Sequence, residues 1–343
     1  MIETLEVLDF LSTNSPIIDV RSPAEYAHGH IPNAVNIPIF DNEQRAVIGT
    51  LYKQVGKEQA VEKGLAIVGP KMEAFVAESK RIAIDKKVHV HCWRGGMRST
   101  SFAWLLQTAS LHPSLLKEGY KNYRKYVLAY LQNLNLKIVV LGGFTGSGKT
   151  HILHQLKEMG QQVIDLEGLA CHKGSVFGAL GQSEQPTNEQ FENNLAYELN
   201  MLNHALPIWV EAESRLIGNI CIHVGFWNNM KKGFRINIVM DIAHRANRLA
   251  EEYGKMPVED LIVCIQKIES RLGIQHTTQA IKALKNGEVH QCALICLKYY
   301  DKYYGENIKD WQTVQLSQFE IQDPTNIEFT TLINQSNTLY GVS

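Results

Sequence analysis

The sequence predicts an α/β chain in two parts, each built on a parallel sheet, the second ending in a mostly helical region. Three observations predict it. The 343 residues exceed what one hydrophobic core usually serves, so two domains are expected. Short apolar runs alternate with stretches of helical spacing, the pattern of parallel strands joined by crossover helices. At two places, Cys92 and Gly143, such a run passes through a Gly-rich turn into a helix, and sheets of this kind carry their sites in loops at the carboxyl ends of strands.

In chain order, residues 16–20 (Pro-Ile-Ile-Asp-Val) read as a buried strand that ends in a polar loop. Residues 61–80 have helical spacing. Residues 87–92 alternate and stop at a Gly-rich turn, and a helix is expected over 99–110. A fresh apolar strand at 137–141 opens a new α/β unit, which sets the domains at 1–133 and 134–343. Further strands are expected at 162–165, 208–211 and 235–240, and residues 244–304 read as mostly helical. The tail, 313–343, is polar and weakly patterned.

Bulk composition narrows the function classes. Hydrophobic residues make up 45% and charged residues 20%, ordinary globular values that argue against a disordered or fibrous chain. With a formal net charge of -1, any nucleic-acid contact has to come from a local basic patch. The first ten residues lack the basic start and apolar core of a signal peptide. No apolar run approaches the roughly 18 residues that span a bilayer. The six cysteines are scattered without a CxxC pair, so neither a disulfide framework nor a metal centre is expected, and a reducing, cytoplasmic compartment is.

The loop of Cys92, Trp93, Arg94, Gly95, Gly96, Met97 and Arg98 is chemically explicit. The thiolate is the reactive form of cysteine, and cations and a helix N-terminus favour it. Gly95 and Gly96 permit a turn whose N–H groups converge on an anion. Arg94 and Arg98 are expected to add charge-assisted hydrogen bonds. Five residues separate Cys92 from Arg98, the Cys-x5-Arg spacing of cysteine phosphatases, which leaves room for a tetrahedral group. A cysteine-dependent phosphatase is therefore one open reading, although no acid loop is evident to protonate a leaving group.

Upstream, residues 19–26 (Asp-Val-Arg-Ser-Pro-Ala-Glu-Tyr) and 29–38 (Gly-His-Ile-Pro-Asn-Ala-Val-Asn-Ile-Pro) join the cysteine loop in a pattern that resembles the rhodanese family over roughly the first 130 residues. It departs at Asn33, where that family usually has glycine, and its cysteine loop is one residue longer than in sulfur-transferring members. Asp19, Arg21 and His30 read as scaffold.

Gly143, Phe144, Thr145, Gly146, Ser147, Gly148, Lys149 and Thr150 fit G-x-x-x-x-G-K-[ST] between a strand and a helix, the context the motif requires. Its N–H groups surround phosphate oxygens, Lys149 brings a mobile charge, and the Thr150 hydroxyl suits a magnesium ion. Acids at a second strand end would complete a nucleotide hydrolase. Glu211, Glu213 and Asp165, with Glu167 beside it, are the candidates, and they read equally well as polar strand ends. A P-loop kinase or NTPase carrying a regulatory rhodanese-like module stays open too. Contacts to RNA or phosphate are expected from Lys53, Arg245, Arg248, Lys298 and Tyr299, for each of which a solvated face or a core position is the more frequent reading. Cys292 and Cys296 share an apolar helical face.

Taken together, Cys-Trp-Arg-Gly-Gly-Met-Arg-Ser and Gly-Gly-Phe-Thr-Gly-Ser-Gly-Lys-Thr, with residues 47–54 and 211–218, resemble the tRNA 2-selenouridine synthase family over nearly the whole chain. The resemblance implies a rhodanese-like domain followed by a P-loop NTPase-like domain. It implies a substrate tRNA with 2-thiouridine at the wobble position, geranyl diphosphate and selenophosphate as co-substrates, and no tightly bound cofactor. A selenophosphate-supplying enzyme is an implied partner.

Overall fold

The computed structural model describes residues 2–307, 316–324 and 328–341. They fall into two compact units, one of residues 2–130 with 192–197, the other of 131–191 with the chain from 198 onward.

The first unit holds a five-stranded sheet of β1 (Glu3–Leu5), β2 (Ile17–Asp19), β3 (Val35–Asn36), β4 (Lys87–His91) and β5 (His112–Leu116), in the order β1-β5-β4-β2-β3. Every neighbouring pair is parallel. Ile18, Val88 and Val90 are buried, as a strand covered on both faces requires. The helices are α1 (Val7–Ser12), α2 (Pro23–His28), α3 (Asn42–Gln54), α4 (Lys57–Val68), α5 (Met72–Ile82), α6 (Met97–Thr108) and α7 (Gly119–Gln132). Reciprocal capping boxes start α2, from Ser22 and Glu25, and α3, from Asp41 and Gln44, each satisfying N–H groups that a helix end leaves open. The helical spacing over 61–80 resolves into two helices. A short 3-10 segment, Gly69–Lys71, separates α4 from α5, because Pro70 cannot donate to the helix ladder. Phe75 and Phe102 meet at 5.5 Å in the core beneath the sheet. Asn33, where glycine was expected, has φ 65°, a conformation that asparagine tolerates better than most side chains.

The second unit is built on β6 (Ile138–Gly143), β7 (Gln162–Ile164), β8 (Ile208–Glu211), a two-residue-arm hairpin β9 (Leu216–Ile217) and β10 (Ile220–Cys221), β11 (Phe234–Met240) and β12 (Leu316–Ile321). Its main sheet runs β12-β11-β6-β8-β7, all parallel. The strand before the phosphate loop is thus central, flanked by β8 and β11. Around it lie α8 (Lys149–Glu158), α9 (Leu166–Ala170), α10 (Asn188–Asn200) and α11 (Val224–Lys232). The helical region comprises α12 (Ile242–Tyr253), α13 (Val258–Lys267), α14 (Glu269–Leu272), α15 (Ile274–Lys285) and α16 (Val289–Asn307). Two cores serve this unit. Ile152, Leu153 and Leu156 of α8 pack on the sheet; Leu261, Ile265, Leu284, Cys292 and Cys296 pack among the helices.

The tail departs from its unpatterned reading. β12 pairs with β11 at the sheet edge, and α17 (Phe329–Leu339) buries Leu332 against the same core. Of the expected tail, residues 313–315, 325–327, 342 and 343 lie outside the described residues. Among the described residues, no helix is long and apolar enough to cross a membrane.

Candidate functional site

Each unit places one loop at the carboxyl end of a strand. In the first, β4 ends at His91 and Cys92 follows, 3% exposed. Its Sγ lies 3.2 Å from Ser99 Oγ and 3.9 Å from the Gly96 carbonyl. The turn needs its glycine at position 95, whose φ is +63°. The loop rests on the start of α7, where the Tyr120 and Lys121 N–H groups donate to the Cys92 and Trp93 carbonyls at 2.8 and 2.9 Å. Gly119 permits that approach: a Cβ there would stand 2.3 Å from the Cys92 carbonyl oxygen.

The two arginines of the loop separate. Arg94 is exposed. Arg98, expected to face the anion, donates instead to Glu25 at 2.8 and 3.4 Å. The reason is local. Glu25 is fixed by its capping bond to the Ser22 N–H at 3.1 Å and presents its carboxylate to Arg98 in the first turn of α6. Burial pushes the Glu25 carboxyl up, but Arg98, Ser22 and Arg45 outweigh it and hold the group below its ordinary range. Asp19 and Arg21 are scaffold, buried and paired at 2.6 Å, with Arg21 also donating to the Gly29 carbonyl at 2.7 Å and lying over the Tyr120 ring at 3.8 Å. His30 bonds the Tyr26 carbonyl and stacks on its ring.

In the second unit, β6 runs into the phosphate loop and α8. Gly143, Gly146 and Gly148 have φ of 154°, 81° and 82°, positive values that glycine adopts without strain. Gly148 is the N-cap of α8, so the helix start opens toward the loop. Lys149 Nζ arches back to the Gly143 carbonyl at 3.1 Å. Thr150 Oγ1 donates to Glu167 Oε2 at 2.7 Å, and the Glu167 N–H donates to Glu211 Oε1 at 2.7 Å. Glu213 completes a carboxylate cluster: burial first, then the Glu167 charge, push its carboxyl up to about 8 against the opposing pull of Lys149. Glu211 is likewise pushed well up by burial, with Asp165 and Glu167 adding to the shift.

Asp165 stands apart from Thr150. It caps α9 through the Gly168 N–H at 2.7 Å and pairs with His154 at 3.0 Å. Because α9 begins at Leu166, the next carboxylate, Glu167, is the one turned toward the loop. The Thr150 hydroxyl and a Glu167 oxygen are the hard donors magnesium takes alongside phosphate oxygens. Among the described residues no group of three or more His, Cys, Asp or Glu could hold a metal.

The two arginines expected to contact RNA or phosphate differ from each other. Arg245 is 3% exposed and fully engaged, with Asp301 at 2.8 and 2.7 Å, the Met240 carbonyl at 3.1 Å and the Thr145 carbonyl at 3.2 Å. It holds the phosphate loop through the Thr145 carbonyl, because α12 begins right after β11 and turns this side chain inward. Arg248, a turn later, has a guanidinium nitrogen 3.1 Å from where a Gly148 Cβ would stand, so it lies over the mouth of the loop. Lys53 and Lys298 are exposed; Tyr299 is half-buried, accepts from Arg271 at 3.3 Å and packs on Tyr300. The side chains of Tyr303 and Tyr304, in the same aromatic stretch, lie outside the described residues.

Fold and loops together define an α/β protein that joins a rhodanese-like domain to a P-loop domain. Residues 3–126 match the rhodanese-like domain family, and residues 136–322 match the family described as the tRNA 2-selenouridine synthase AAA domain. The chain is 37% identical over 262 residues to a tRNA 2-selenouridine synthase of Bdellovibrio bacteriovorus, covering 72% of this chain and 67% of that one. To those of Sulfurovum sp. and Shewanella denitrificans it is 34% and 35% identical, over 86% and 87% of this chain and 89% of each relative. The match to the Nitrosomonas europaea relative spans 64% of that protein. The chain belongs to the tRNA 2-selenouridine synthase family.

Proposed function

We propose that the protein is a tRNA-modifying transferase that replaces the sulfur of 2-thiouridine by selenium in two steps. What carries this reading is the presence, in one chain of this family, of two separate anion-holding loops at strand ends, one with Cys92 and one with Lys149 and Thr150. Both implied co-substrates bear phosphate, so two cradles match two reagents.

In the first step the phosphate loop holds geranyl diphosphate. The thiocarbonyl sulfur attacks C1 of the geranyl chain, the C–O bond breaks, its electron pair leaves on diphosphate, and the base loses its N3 proton. The N–H groups of residues 143–150 and Lys149 stabilise the charge that develops on the leaving group. Thr150 and Glu167 would hold a magnesium ion, which would supply neutralisation of charge on the leaving group. The alkylated sulfur is a far better leaving group than the thiocarbonyl it replaces. In the second step the cysteine loop holds selenophosphate, with Arg94 and the N–H groups at the start of α6 on its phosphate. Selenium bonds to C2 of the base, geranyl thiol departs, and water takes up the phosphoryl group as phosphate. Cys92 positions the selenium. Substrate tRNA and a selenophosphate-supplying enzyme are the implied partners, and a reducing cytoplasm suits the free thiol.

The test is nucleoside mass spectrometry on 2-thiouridine tRNA given geranyl diphosphate, with and without selenophosphate. Wild type should yield the geranylated nucleoside and then selenouridine, whereas Cys92→Ala should stop at the geranylated one. No mass change with folded wild-type protein would sink the proposal. One observation favours a second reading: the Thr150–Glu167 contact and the buried Glu211 and Glu213 are what magnesium-dependent nucleotide hydrolysis would use. ATP hydrolysis that persists in Cys92→Ala, without modified nucleoside, would favour it.

A further inference from the structure

Beside the phosphate loop the second unit contains a narrow, part-open cleft of about 60 Å³. Thr145 of the loop forms one part of its wall, and α12, α13, α15 and α16 supply most of the rest. Fourteen of the described residues line it, among them Leu249, Leu284, Cys292, Ala293 and Cys296, and none of these fourteen is charged or carries a side-chain amide or an imidazole. A phosphate loop that contributes Thr145 to such a wall suits an amphiphile. Beyond the hydroxyls of Thr145, Ser175, Tyr253 and Tyr300 and two thiols, the described lining is hydrocarbon, the surface that a prenyl chain takes.

The direction of the cleft follows from the helix that forms its side. Arg245 joins Asp301 of α16 to the Thr145 carbonyl, so the Asp301 end of α16 stands at the loop. Cys296 and Cys292 lie back along that helix by roughly 7.5 and 13.5 Å, at 1.5 Å per residue. Leu284 of α15 packs with Cys292 and Cys296 in one apolar cluster. A hydrocarbon chain attached to a diphosphate in the loop would therefore run along α16 and meet Leu284 on the way.

We infer that this cleft is the prenyl-chain site of the P-loop domain, and that Leu284 and Ala293 set the length of chain accepted. The inference rests on the reading that the phosphate loop holds a prenyl diphosphate. Its pairing of head and tail explains why the loop abuts an apolar helical region, and it places the reacting C1 atom at the loop mouth.

The experiment measures transfer from geranyl and farnesyl diphosphates to 2-thiouridine tRNA by wild type, Ala293→Trp and Leu284→Ala, with inorganic pyrophosphate binding followed by calorimetry as the check on the loop and on folding. Ala293→Trp should fill the cleft and lower kcat/KM for geranyl diphosphate at least about tenfold while pyrophosphate still binds as in wild type. Leu284→Ala should raise the farnesyl-to-geranyl ratio by roughly tenfold, the discrimination expected of an apolar pocket that gains this much room. A misfolded variant cannot produce such a gain. If both variants bind pyrophosphate and keep the wild-type rate and ratio, the cleft is not the chain site, although the two-step reading stands. If wild type binds pyrophosphate but transfers no prenyl group, the reading itself falls and the inference with it.

Discussion

Glu25 ties the acid end of one helix to the basic start of another, and its charge has a pH signature. The carboxyl is held below its ordinary value because Arg98, Ser22 and Arg45 outweigh burial. A carboxyl whose folded pKa is depressed contributes stability that is fully present above its unfolded value of about 4.3 and is lost as pH falls through the folded one. Glu25→Gln should therefore destabilise the protein near neutrality by about 1 kcal/mol, the part-exposed pair being screened by solvent. The gap between wild type and variant should close as pH drops below the ordinary glutamate range. Denaturation curves from pH 7 to pH 3 check it, and a pH-independent gap would remove the ion pair as the cause. Arg98 also marks the limit of sequence reading at this scale. Its spacing from Cys92 was legible, but the carboxylate that claims it lies 73 positions upstream in the chain and becomes a neighbour by folding alone. Glu167 was legible as one acid near the end of β7; that it, rather than Asp165, meets Thr150 depends on where α9 begins.

At the scale of elements, the most legible parts were strands buried on both faces. β4, β6, β8 and β11 are largely buried strands whose ends the sequence located to within two residues. β12 was not legible, because polar residues interrupt its apolar ones and half of its identity comes from pairing with β11, Phe319 standing opposite Ile238. The break between α4 and α5 was missed for another reason: apolar periodicity continues across it, whereas Pro70 decides the backbone. Loops offer the sharper test. Gly119 has φ +61° and faces the Cys92 carbonyl, so Gly119→Ala adds left-handed strain of about 1–2 kcal/mol to an overlap costing about 1–3 kcal/mol. Gly96 has φ -96° and open space where a Cβ would go, so Gly96→Ala should stay within about 1 kcal/mol of wild type. Chemical denaturation of the pair checks this. Equal losses would mean that the start of α7 does not hold the cysteine loop in place.

For the whole molecule the question is whether two loops on two cores act as one catalyst or as two in series. Each unit has its own sheet and core, so disabling one loop leaves the other folded. The two-step reading passes a stable alkylated tRNA from the Lys149 loop to the Cys92 loop. Lys149→Ala should lower geranylation about 100-fold or more, as loss of a preorganised charge on a leaving group does, yet leave selenation of tRNA that is already geranylated near the wild-type rate. Cys92→Ala should show the reverse. Mixed together, the two variants should then make selenouridine from 2-thiouridine tRNA, because the intermediate can leave one molecule and bind another. Nucleoside mass spectrometry of the mixture reads the outcome. Selenouridine in the mixture but in neither variant alone would establish separate sites acting in sequence. Were Lys149→Ala to lose selenation and keep geranylation, the reagents would have to be exchanged between the loops. Were both steps to fail in each variant, with folding intact, the two loops would share one reaction centre and the serial scheme would be wrong.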